Sequence, residues 1–297
     1  MGTAQLGMAY GVANLAGRPS AAQASALIAT CVARGITWFD TAEAYGDSEL
    51  VLGQAFADLG IGDRINAVSK GSLPAAADES LTDKIHRSLR RLGLSRLACW
   101  LMHDEHQLAA WTDEIARESN DLRDQHLVGS FGLSVYSPEV ALRGVEEQRL
   151  SAVQFPASPL DRRFLRNRVA VRLAGAGARL FVRSVFLQGL CLMAPAKVPP
   201  GISRGKEAVG ALAGFCESRG LRRDAFCLHY VLHRTAPTGA QLVFGVDCAA
   251  QLERNLHLLN EPPPAPACFD EWDDLWPADI PDLILPYRWP RNPPLTQ

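Results

Sequence analysis

A chain of 297 residues, 47% of them hydrophobic, is long enough to bury a large core as a single catalytic domain. Its 30 basic and 32 acidic residues nearly cancel to a net charge of −2, which leaves no electrostatic footprint for nucleic acid or an anionic membrane. No apolar run approaches the roughly 18 residues of a membrane span, no secretory signal pattern opens the chain, and the seven cysteines form no CxxC pair; a cytoplasmic protein with reduced core thiols is expected.

In chain order, short apolar runs alternate with amphipathic stretches. The runs predict strands at 3–6, 36–39, 65–69, 97–102, 129–133, 152–155, 179–184 and 242–246. Helices are expected to start at Ala21, Ser48, Glu79, Gln107, Pro138, Asp161, Gly205 and Ala249, several behind a capping residue such as Ser20, Asp47, Asp78, Ser137 or Ser158. An additional helix is expected over 222–233. Strand followed by helix, repeated around a ring, predicts an α/β fold: one (β/α)8 barrel of the TIM type over 1–260. The first strand starts almost at Met1, leaving no residues for a plug across the barrel floor. Residues 261–297 hold ten prolines, with Trp272, Trp276, Tyr287 and Trp289 among them. Proline opposes a regular helix and aromatic rings seek burial, so an extended tail packed on the barrel is expected.

Four chemistry-bearing residue types fall where strands end: Asp40 and Tyr45 in ITWFDTAEAYG, Lys70 in INAVSK and His103 in LACWLMH. The aspartate, lysine and histidine are spaced thirty and thirty-three residues apart, one βα unit each, so a parallel barrel gathers the four at one mouth. A lysine beside a tyrosine stabilises the phenolate and is expected to draw its pKa below about 10, giving an acid usable near neutrality. His103, Asp104, Glu105 and His106 also present two imidazoles with carboxylates between them, a pattern open to a metallohydrolase. Metal barrels usually draw ligands from several strand ends, and no metal ligand is assigned.

The strings GTAQLGMAYG, FDTAEAYGDSELVLGQAF, SK at Ser69 and Lys70, LMHDE, FGLSVY, VQFPASPLDRR, RSVFLQGL and VFGVDCAAQLERNL resemble successive signatures of the aldo-keto reductases, in the right order from residue 2 to about 259. The resemblance implies an oxidoreductase using NADP(H) or NAD(H) that reduces an aldehyde or ketone, or oxidises the corresponding alcohol or sugar. A cofactor-binding regulatory or interaction protein with little turnover is the alternative. Under this resemblance Tyr45 is the general acid/base, Lys70 and Asp40 tune it, and His103 donates to the carbonyl oxygen. Ser134 and Gln154 would meet the nicotinamide amide, with Val135 where the family usually has asparagine. Arg183 would stack beneath the ring in place of an aromatic residue. Gly2 and Thr3 would border the cofactor, and Ser184 and Gln188 the pyrophosphate. Gly245, Gln251 and Asn255 would border the adenosine, with Asp247 unfavourable to a 2′-phosphate and Arg254 the nearest cation. No GxGxxG fingerprint implies a Rossmann subdomain. The loop residues Met8, Ala9, Tyr10, His106 and 186–192 suggest a small carbonyl or sugar substrate.

Overall fold

The computed structural model describes residues 1–12, 14, 17–74, 79–276 and 280–289. Seven strands form one parallel sheet in sequential order: β1 (Trp38–Asp40), β2 (Asn66–Gly71), β3 (Cys99–Met102), β4 (Phe131–Ser134), β5 (Ala152–Pro156), β6 (Arg179–Arg183) and β7 (Gln241–Leu242). Residues 1–3 supply the missing stave. Thr3 N donates to Asp40 O at 2.9 Å, Asp40 N to Met1 O at 2.8 Å, and Gly2 N to Phe244 O at 2.9 Å, which closes the sheet into an eight-staved barrel. The Gln5 side chain joins the same two edges, donating to Gly2 O and Val246 O.

Twelve helices are present among the described residues: α1 (Ala4–Gly7), α2 (Ala21–Ala33), α3 (Ser48–Leu59), α4 (Leu81–Leu92), α5 (Asp113–Asp124), α6 (Pro138–Glu146), α7 (Val169–Gly175), α8 (Gly205–Ser218), α9 (Arg223–Thr235), α10 (Ala249–Asn260), α11 (Pro266–Leu275) and α12 (Pro281–Ile284). None is long and apolar enough to cross a membrane. Ser20 builds the expected capping box on α2, and Ser137 caps α6. The cap of α4 is Ser80, with the predicted Asp78 outside the described residues. Asp47 makes no cap and pairs with Arg18 instead.

The sheet's two faces bury different clusters. The outward face packs against the helices, while Val68, Leu101, Ala152, Phe181 and neighbouring side chains fill the barrel interior. Because alternate residues of a strand share a face, the residue two positions further on points into the same interior, one layer nearer the mouth. That step leads from Val68 to Lys70, from Leu101 to His103, from Ala152 to Gln154 and from Phe181 to Arg183. The hydrophobic plug is therefore the floor on which the polar layer stands.

Four expectations are corrected. The segment predicted as a strand at 3–6 winds into the one-turn α1; its alternation is too short to distinguish the two periods, and the turn carries Gly7 against the Tyr45 loop. The helix expected at Gln107 is a 3₁₀ turn, Glu105–Ala110, followed by α5 behind the cap Thr112. The helix expected at Asp161 starts at Val169, since Ser158 Oγ accepts from Leu160 N and Asp161 N and closes a tight turn first. The described part of the tail is largely helical and not extended: α11 and α12 each start with proline at a first-turn position, where the missing N–H removes no helical bond. Trp272 is fully buried and donates to Pro159 O, and the buried Arg162 holds Asp273 and Trp276 O, so α11 is clamped to the loop after β5. Of the seven thiols, five are buried as expected, but Cys248 is exposed and Cys268 partly so.

Candidate active site

Asp40 ends β1, Lys70 lies in β2 and Gln154 in β5, and all three meet in the interior. Lys70 Nζ donates to Asp40 Oδ1 at 2.7 Å and to Thr41 O at 2.7 Å; Gln154 Nε2 donates to the same Asp40 oxygen at 2.6 Å. The Lys70 side chain is 0% exposed and that of Asp40 8%. Burial pushes the Lys70 ammonium pKa down, and the Asp40 carboxylate opposes that shift. An ion pair this deep survives only with its hydrogen bonds satisfied, as these are.

Tyr45 sits in the loop between β1 and α3, held by two glycines. A Cβ on Gly7 would lie 1.8 Å from Tyr45 O, and one on Gly46, whose φ is +57°, would lie 2.5 Å from Gly7 O. Only bare backbone fits between α1 and this loop. The phenol ring stands over Lys70 Nζ, 4.9 Å from the centroid, and edge-on to His103 at 5.5 Å. The expected lowering of its pKa by lysine is not what this arrangement gives. Burial, then the Asp40 charge, push the phenol well above its ordinary value, and Arg183 opposes them. The reason is geometric: Lys70 directs two donors at Asp40 and Thr41, and meets the tyrosine by the ring face. His103 is pushed down to about 4 by burial, with Lys70 and Arg183 adding to the shift, so its imidazole is neutral near pH 7.

A cleft of about 380 Å³ opens beside this layer. Asp40, Tyr45 and Arg183 line it together with Gly2, Thr3, Ser184 and Gln188, and it continues to Gly245, Asp247, Gln251, Arg254 and Asn255. Lys70, His103, Ser134 and Gln154 lie outside that lining. Thr3 is already committed: its hydroxyl donates to Asp40 O. Gln251 and Asp247 bind each other, with Asp247 N donating to Gln251 Oε1 at 2.9 Å and Gln251 Nε2 to Asp247 Oδ2 at 3.2 Å. Gln154 Oε1 is buried and has no partner. Past β6, Ser184, Leu187, Gln188 and Gly189 all take positive φ, a run of backbone strain bordering the cleft. Across the cleft, Gln188 Nε2 reaches Tyr10 Oη at 3.4 Å.

Sequence reasoning overlooked Tyr136, Asp224 and Gln5. Tyr136 follows β4 and carries the Arg183 guanidinium on its ring, Cζ 4.4 Å from the centroid, with Tyr287 of the tail edge-on at 5.3 Å. Its position three residues beyond a predicted strand end was the available signal. The imidazole pair does not assemble as a metal site: Asp104 caps the 3₁₀ turn, Glu105 accepts from Tyr136 N and Ser137 N, and His106 is exposed. Among the described residues no group of three or more His, Cys, Asp or Glu is placed to hold a metal ion.

Residues 1–277 match the model of the family described as the aldo/keto reductase family. Among solved structures the chain is similar to an aldo-keto reductase from Bacillus halodurans in its holo form, at 18% identity and a TM-score of 0.75 over 96% of this chain and 93% of that one. It is also similar to a glycerol dehydrogenase from Gluconobacter oxydans, at 20% identity and a TM-score of 0.69 over 100% of this chain and 94% of that one. At such identities these two carry the fold. A search of curated proteins finds no match.

Proposed function

Because the chain belongs to the aldo/keto reductase family, and with it to the NAD(P)-dependent oxidoreductases of small carbonyl and sugar compounds, we propose that it works as a carbonyl reductase with Tyr45 as the proton donor. The observation that carries this is the placement of the phenol: Tyr45 lines the cleft with its ring over the Lys70 ammonium, 4.9 Å from the centroid, and edge-on to His103 at 5.5 Å, so a proton-bearing hydroxyl, a cation and an imidazole meet at the inner end of one cleft. Asp40 fixes Lys70, and Lys70 under the ring holds the phenol in place and counters the charge left on its oxygen after transfer. His103, being neutral, offers one N–H toward the same carbonyl oxygen without competing as an acid.

The residues fit a nicotinamide dinucleotide. Gln154 Oε1, a buried acceptor without a donor, matches an amide N–H, and Ser134 pairs with Gln154 across β4 and β5. Arg183 would underlie the ring, Ser184 and Gln188 would take the pyrophosphate with Gly2 and Thr3 at its side, and Gly245, Gln251 and Asn255 would border the adenosine. When bound, the dinucleotide supplies the hydride. Asp247, fixed by Gln251, sets an anion in the cleft wall, so we assign weak discrimination against NADH. Tyr45→Phe tests the reading: carbonyl reduction should fall by about 10²-fold or more while dinucleotide binding, followed by fluorescence quenching, persists. Undiminished turnover would refute the acid assignment.

A further inference from the structure

The reactive layer carries an uncompensated positive charge. Lys70 is neutralised by Asp40, and His103 is neutral, but Arg183 has no carboxylate partner among the described residues. Its hydrogen bonds to Ser184 Oγ and Val135 O are both 3.4 Å long, at the limit for such contacts, and beyond these and the Tyr136 side chain it has donors to spare, since a guanidinium has five N–H groups. Arg162, which is fully buried, is by contrast bound to Asp273. One face of Arg183 lies on Tyr136, and the group borders the same cleft as Tyr10 and Tyr45. Its field reaches both of those phenols as well as His103 and Lys70, which puts the charge at the reacting end of the cleft. A half-buried guanidinium with free edges beside a carbonyl site is a receptor for a planar anion.

We propose that Arg183 binds a carboxylate carried by the substrate, so that the substrates are aldehydes or ketones bearing an acid group near the carbonyl. The proposal rests on the reductase reading of this site. The face of the guanidinium is free to underlie a nicotinamide while its edge N–H groups take the carboxylate, with the Tyr10 hydroxyl alongside.

The test is a ratio of kcat/KM values: succinic semialdehyde and glyoxylate, each against its own methyl ester, under one cofactor concentration. The acid should be preferred by roughly 10- to 100-fold, the worth of a charge-assisted contact. Arg183→Met and Arg183→Gln should each bring the ratio to about one, and Arg183→Lys should keep part of it. Because both members of a pair use the same cofactor, any change in its binding cancels. A wild-type ratio near one, or a preference unchanged in both neutral variants, overturns the proposal. Where ester and acid alike fail to turn over with dinucleotide bound, the reductase reading fails, and the receptor is then judged by binding alone. Succinate should raise the Tm of the wild type and not of Arg183→Met; equal shifts overturn it.

Discussion

On the β1–β3 side of the barrel mouth, Lys70 reaches Asp40 and Thr41 through bonds of 2.7 Å, whereas on the β4–β6 side Arg183 meets Ser184 and Val135 only at 3.4 Å and Gln154 keeps a buried oxygen with no partner. Gln154 is the joint between the halves, since its amide nitrogen belongs to the first network. The difference separates two jobs. On the proposed reading the first half supports a proton donor, which must be held in place before substrate arrives, and its supports are complete in the protein alone. Groups that receive a ligand remain unsatisfied until the ligand satisfies them.

The largest effect should come from breaking the finished half. Asp40→Ala removes the acceptor of both Lys70 and Gln154 and leaves a buried ammonium, for a loss of about 3–5 kcal/mol in urea unfolding. A loss below about 1 kcal/mol would mean that Lys70 finds another partner, and the contrast between the halves would dissolve.

A smaller effect is written in pH. His103 titrates at about 4 in the folded chain against 6.5 for the ordinary group. Between those values the unfolded chain binds a proton that the folded chain does not, so stability is full above pH 6.5 and falls as the pH drops toward 4. His103→Gln should remove about 3 kcal/mol of that decline, read as unfolding free energies from urea denaturation at the two ends of the window. Equal slopes in the two proteins would place the acid sensitivity elsewhere.

The smallest belongs to the unfinished half. Asp247→Arg, at a partly exposed position, should tighten NADPH relative to NADH by about 1 kcal/mol, roughly fivefold in Kd. A wild type that already prefers NADPH a thousandfold would show that the carboxylate does not face the phosphate and would turn attention to Arg254.

Part of the site was legible because the strands of a parallel barrel end at one mouth. Lys70 and His103 were legible from their places at strand ends one βα unit apart, whereas Gln154 and Arg183 were named only through the family resemblance; the strands of the structure then bring all four to one interior layer. The sense of the tyrosine's titration was not legible, since spacing places Lys70 near Tyr45 but does not say which atoms of the ring it meets. Tyr136 escaped notice because it lies in a loop, where no periodicity orients a side chain. The tail was misread because its prolines were weighed as helix breakers; Pro266 and Pro281 stand at helix starts, the position at which proline does no harm. The helix expected at Asp161 failed for the opposite reason, a hydroxyl at Ser158 closing a turn that sequence alone does not distinguish from a cap.

The closure of the barrel bears on how the cleft is entered. Neighbouring strands elsewhere are joined along paired registers such as the five residue pairs between β5 and β6, but the last stave meets the first through Gly2 N to Phe244 O, reinforced by the Gln5 side chain. Gly2, Gln5, Phe244 and Gly245 all border the cleft. The seam with the sparsest ladder is therefore also a wall of the cleft, and local opening, which follows the least bonded backbone, is expected along the side by which the proposed dinucleotide would enter.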